Sequence, residues 1–129
     1  MSDLTFLVAD SFLVIAGIVS VVFVGKVAND TLAQVVTGVV WGTPVSTGVR
    51  RGMLFSAWLP WQATQVALTA FLAVTQLEIA NHVSGADVKL VAYFAGFIAA
   101  SGSVFVLLTS VMALFRSSAK VRRDQERAT

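Results

Sequence analysis

The 129-residue sequence has no cysteine, a single histidine, two prolines and few charges, with Asp, Glu, Lys and Arg together at 12%. Without thiols there can be no disulfide framework, thiolate metal site or iron–sulfur cluster. His82 alone cannot supply paired-imidazole haem ligation or a three-histidine zinc site. No metal or cofactor is therefore expected. The scarcity of charge says more. Soluble domains carry roughly 25% charged residues, whereas here 57% of the chain is hydrophobic. A water-soluble domain this small keeps a large fraction of its surface exposed and could not hide so much apolar area. The composition predicts an all-α integral membrane protein, with the lipid bilayer as its principal partner.

The first apolar run, Leu4 to Gly25, is too long for a signal-peptide core and lacks a preceding Lys or Arg. Its 22 residues reach ~33 Å as a helix, enough for a ~30 Å hydrocarbon core. "KVAND" then reads as a short polar break, with Asn29 or Asp30 placed to cap a following helix. The segment Thr31 to Val49 is ambiguous. Leu32, Val35, Val36, Val39 and Val40 fall at helical spacing, yet Thr43-Pro44 disfavours a continuous helix. One reading is a short second span broken near Pro44; the other is a half-helix followed by a re-entrant turn. Further spans are expected at 60–80 and 88–115, and residues 116–129 as a basic, solvated tail.

Charge asymmetry sets the side but not the number of crossings. The tail cations Arg116, Lys120, Arg122, Arg123 and Arg127 put the C-terminus in the cytoplasm or virion interior. Three spans leave Lys89 as the lone outer cation; four add Lys26 to it. Four spans leave only short connections, which antiparallel helical bundles favour. The expected architecture is thus a four-helix membrane bundle over residues 1–115 in a cell inner, plasma or virion membrane, with three spans plus a re-entrant segment as the alternative.

The few polar residues in the apolar runs are candidates for function. Asp10 lies about two turns into the first span, where an ionisable group costs at least ~2.5–3.5 kcal/mol at the bilayer centre unless it faces the bundle or water. Gln62, Gln65, Thr69 and Gln76 share one helix face. An amide with two donors and two acceptor lone pairs is disfavoured in lipid, so these side chains should look inward. With Asp10 they form an intramembrane polar seam, either a wetted path or hydrogen-bonding glue between helices. Glu78 reads as interfacial.

Small residues mark expected helix contacts. Gly38 and Gly42 in "GVVWG" have the Gly-x-x-x-Gly spacing, and Ala92, Gly96, Ala100 and Ser103 lie along one face of the last span. Arg50, Arg51, Trp58, Trp61 and Arg116 are expected as anchors at the membrane–water interface.

Signals for catalysis are thin. "ASGSV" looks superficially like a membrane serine-protease nucleophile, but there is no Gly-x-Ser-x-Gly elbow and no phosphate-binding Gly-x-x-x-x-Gly-Lys loop. The basic tail, mixed with Asp124 and Glu126, fits attraction to anionic lipid better than nucleic-acid binding. In size and layout the chain resembles phage holins and the small membrane proteins of viruses. An acidic residue, Asp10, in the first of four short spans is similar to small multidrug transporters. These likenesses rest on length and hydropathy, and they carry no residue roles across. The sequence points to a non-enzymatic structural membrane protein, a homo-oligomer or a subunit of a membrane complex. The alternative is a holin-like pore or small transporter.

Overall fold

The structure, a computed structural model, describes residues 3–128. Residues 1, 2 and 129, at the ends of the expected bundle and tail, lie outside the described residues. Helix α1 runs Asp3–Thr37, a short hairpin pairs β1 (Val39–Val40) with β2 (Thr43–Pro44), and α2 follows at Thr47–Met53. A π-helical turn, Leu54–Trp58, joins α2 directly to α3 (Leu59–His82), and α4 spans Ala86–Ala128. Among the described residues three helical stretches are long and apolar enough to cross a membrane: Leu4–Thr37, Thr47–His82 and Ala86–Arg127.

The expected second span, residues 31–49, does not form. "KVAND" fails to break the helix because its polar groups all sit outward: Lys26, Asn29 and Asp30 are exposed. Val24, Ala28 and Val35 are buried, and Leu32 packs against the same cluster, so one continuous inward stripe carries α1 past the polar patch. The helix stops instead at Gly38, whose φ of 81° is left-handed, a conformation open to a residue without Cβ. Trp41 (φ 52°) and Gly42 (φ 79°) then make a two-residue turn with both central residues left-handed. This turn matches the twist of a tight hairpin, with Val40 opposite Thr43 and Val39 opposite Pro44. Gly38 and Gly42 are thus backbone pivots of a hairpin rather than a helix-contact pair. The Pro44 region is non-helical as expected, but the helix has already ended seven residues earlier, at Thr37.

Ser46 caps α2, its hydroxyl accepting from the Val49 N–H at 3.4 Å. Pro60 stands in the first turn of α3, where a missing N–H is best tolerated, although the helical path runs into α3 from α2 without a break. Its missing N–H leaves the ladder one donor short, and the turn before it widens to π geometry. The basic tail continues α4 as helix as far as Ala128, with Arg122, Arg123 and Arg127 exposed, and Asp87 lies within that helix's first turn.

Helix α3 is the middle member: it packs along both α1 and α4, which meet each other little. At 35 and 43 residues, α1 and α4 extend ~52 and ~65 Å, well beyond a ~30 Å core. Their excess lengths, with the hairpin, α2 and the π turn, gather at one end into a head. That head has its own core of Ala28, Val35, Leu54, Trp58 and Val121, flanked by Leu32, Met53 and Leu114. The apolar halves of α1, α3 and α4 form the other part.

Candidate functional site

Two polar constellations stand out, one in each part of the molecule. The first joins α1 to α3. Gln76 is only 2% exposed, and its side-chain amide donates to an Asp10 carboxyl oxygen at 2.5 Å. About three turns further into the molecule, the Gln65 amide donates to the Val21 carbonyl at 3.4 Å. That carbonyl is reachable because the next turn of α1 presents Gly25. A Cβ there would stand 2.5 Å from Gln65 Nε2. Gly17 works alike: a Cβ on it would meet the Leu72 methyls at 2.5 and 2.8 Å. The α1–α3 seam is therefore built from small residues on α1 receiving large ones from α3.

The Thr69 hydroxyl donates to its own helix, at the Gln65 and Val66 carbonyls (3.0 and 2.9 Å). Gln62 looks toward α4 and lines a cleft of about 320 Å³ with Val66, Leu107, Ser110 and Leu114. Its Oε1 is buried and has no hydrogen-bond partner among the described residues. The structure thus brings Asp10, Gln65 and Gln76 onto the α1–α3 contact, leaves Thr69 beside it facing α1 with its hydroxyl on its own helix, and turns Gln62 toward α4.

On α4, Ala92 and Gly96 are buried, Ala100 and Ser103 half-buried. A Cβ on Gly96 would touch Leu77 at 3.0 Å, and the Ser103 hydroxyl donates to the Val66 carbonyl of α3 at 3.3 Å. At the far end Tyr93 donates to Asn81 Oδ1 at 2.9 Å. Because α1 and α4 stand apart, an apolar groove runs between them over α3. One stretch, about 320 Å³, is lined by Val14, Ile18, Leu72, Ala99 and Gly102; the next, about 350 Å³, by Leu7, Asp10, Ser11, Val88 and Ala92. Gln76 lines both, so the Asp10–Gln76 pair sits where they adjoin.

The second constellation, in the head, centres on Arg50. Helix termini leave their last carbonyls without partners, and the C-terminal end of a helix attracts positive charge. Arg50 meets both needs: Nε donates to the Val35 carbonyl at 2.8 Å and Nη2 to the Val36 carbonyl at 2.5 Å. Its remaining nitrogen, Nη1, pairs with Asp124 of α4 at 3.0 Å. Lys120 lies 3.6 Å from the same carboxylate. The hydrogen bond from Arg50, reinforced by the charges of Lys120 and Arg50 against a desolvation cost, holds the Asp124 carboxyl below its ordinary pKa. Arg51 adds a parallel link, donating to Gln125 Oε1 at 2.8 Å.

Arg50 and Trp58 were expected as interface anchors, and both are buried in the head, at 5% and 0% exposure. They face inward because α2 and the π turn are roofed by α1 and α4 rather than by lipid. Arg51, Trp61 and Arg116 remain exposed. No sequence signal marked Arg50 for this role, since its partners lie 15 and 74 residues away in the chain.

Among the described residues no group of three or more His, Cys, Asp or Glu gathers to hold a metal ion. Comparison of the chain with protein-family models, with curated proteins and with solved structures finds no match.

Proposed function

We propose that this chain is a three-span structural membrane protein that self-associates, or joins a membrane complex, through the groove between α1 and α4. The observation that carries this reading is the Asp10–Gln76 hydrogen bond. Asp10 and Gln76 satisfy one another, and Gln65 bonds the Val21 carbonyl, so these groups tie α1 to α3, whereas a conducting path needs polar groups free to exchange water with a solute. The groove beside them is walled by aliphatic and small residues, which suits a second apolar helix. Eight of the nine Lys and Arg fall at or beyond the head end of the apolar spans, with Lys89 at the other. The head therefore faces the cytoplasm or virion interior.

Asp10→Asn and Gln65→Leu test this against the pore reading. The structural reading expects both variants to shift the oligomer distribution in mild detergent, or to lower the melting temperature, and neither to change ion leakage from liposomes. Altered ion or solute flux with an intact oligomer would overturn it in favour of a holin-like or transporting pore.

A further inference from the structure

The hairpin explains what an uncharged, apolar loop does beside a water-facing head. Trp41 at its tip is 88% exposed and takes a left-handed φ of 52°. Bulky L-residues rarely adopt that conformation. The turn is held in place rather than frayed: the Trp41 N–H donates to Gln34 Oε1 at 3.0 Å, and the Val45 N–H closes the hairpin on the Gly38 carbonyl at 2.9 Å. An unfavourable backbone conformation thus presents the largest apolar side chain in the segment to the outside.

The hairpin also folds back along α1. Trp41 and the α1 residues Val27, Asp30, Ala33 and Gln34 bound a cleft of about 470 Å³. On its other side, Trp41 shares a cleft of about 240 Å³ with Met53, Pro60 and Trp61. Val27 follows Lys26, where the apolar run of α1 ends, and Pro60-Trp61 opens the apolar run of α3. The tip therefore lies at the depth where both helices pass from polar to apolar surroundings. No charged residue occurs from Gly38 to Val49, so shallow burial of this loop strands no charge.

We infer that the hairpin is a membrane-interface anchor, with Trp41 seated among the headgroups and glycerol esters of the leaflet on the head side. Indole suits that layer because its body is apolar and its N–H can donate. The occupant of the two clefts is bilayer lipid. The inference rests on the membrane reading above and adds a fourth, non-spanning point of attachment.

The test uses single-tryptophan chains in phosphatidylcholine vesicles carrying bromine either close to the ester or near the chain middle. Trp58→Phe is common to all, since the Trp58 indole N–H is buried with no partner among the described residues. Adding Trp61→Phe leaves Trp41 alone; adding Trp41→Phe leaves Trp61 alone. Trp41 emission should be quenched more by shallow than by deep bromine and little by aqueous iodide. Quenching of Trp41 by iodide but not by bromolipid, with Trp61 still quenched by bromolipid, would overturn the anchor and leave the membrane reading standing. Absence of bromolipid quenching for both would overturn the membrane reading and the anchor together. Trp41→Ala in the otherwise native chain repeats the test without the Trp58 change. It should lose a shallow-quenched component, and unchanged quenching would reject the anchor.

Discussion

The head and the apolar half of this molecule differ in what they enclose. In the head, Leu54, Trp58, Val35 and Val121 are fully enclosed, and charged Arg51, Arg122 and Arg123 face out. In the other half Phe12, Phe97, Phe105 and Phe115 are two-thirds exposed or more, while Gln76 is enclosed at 2%. One chain with one set of side chains builds both, and on the membrane reading proposed above what differs is the surrounding solvent. In water, apolar area is driven inward at roughly 25 cal/mol per Å². In lipid that drive vanishes, and close packing with hydrogen bonds between helices takes over. The change from apolar to polar exposed surface falls near Lys26 on α1, Pro60 on α3 and Phe115 on α4.

If two solvents sustain two parts, each part should fail on its own terms. The largest effect is expected for Trp58→Ala, which empties the head core and costs about 3–5 kcal/mol. Limited proteolysis should then cut within residues 38–58, while the helicity of the apolar half survives. Trp58→Phe should be close to neutral, because it keeps most of the packing and removes a buried N–H that lacks a partner among the described residues. Equal loss in both would detach the effect from core volume. Gly17→Leu should act on the other half. Its side chain collides with Leu72, an overpacking cost of about 1–3 kcal/mol, and cross-linking between α1 and α3 should fall while the head stays protease-resistant.

The smallest effect is a pH dependence confined to the head. Asp124 has a lowered pKa in the fold, mainly through its bond from Arg50. A depressed carboxyl contributes stability above its unfolded pKa of about 3.9 and loses it as pH falls through the folded value. Protection of the head from proteolysis should therefore be flat across the neutral range and decline only in strongly acidic solution. Asp124→Asn should abolish that decline, and a midpoint near neutrality would require another group.

Much of this was legible in the sequence, and the misreadings have physical causes. Long apolar runs identified α1, α3 and α4, because a membrane-crossing helix needs little beyond length and hydropathy. The inward orientation of Gln65 and Gln76 follows from their shared face and from the cost of an amide in lipid. The partners did not follow. That Gly25 admits Gln65, or that Gln76 meets Asp10 across 66 residues, depends on helix register that no local pattern encodes. "KVAND" looks like a break only when its polar residues are counted without their face: Lys26, Asn29 and Asp30 are exposed, while Val24 and Ala28 keep the inward stripe unbroken. "GVVWG" was misread because one glycine spacing serves two ends. In a helix it permits close approach; here Gly38 and Gly42 supply left-handed φ values on either side of a hairpin. The tail's charged residues Arg122, Arg123 and Arg127 are exposed, but its composition does not show that Asp124 and Gln125 fasten it to Arg50 and Arg51.

The change of solvent near Lys26 is tested most directly by sidedness of labelling, which a chain without cysteine makes straightforward. Single-cysteine variants at Asn29, Ser84 and Gln125 would be exposed to a membrane-impermeant thiol reagent in sealed, oriented vesicles. The account predicts that Asn29→Cys reacts from the same side as Gln125→Cys, with Ser84→Cys reacting from the opposite side. Labelling of Asn29→Cys together with Ser84→Cys would place a crossing over residues 31–49, restore four spans and contradict the account.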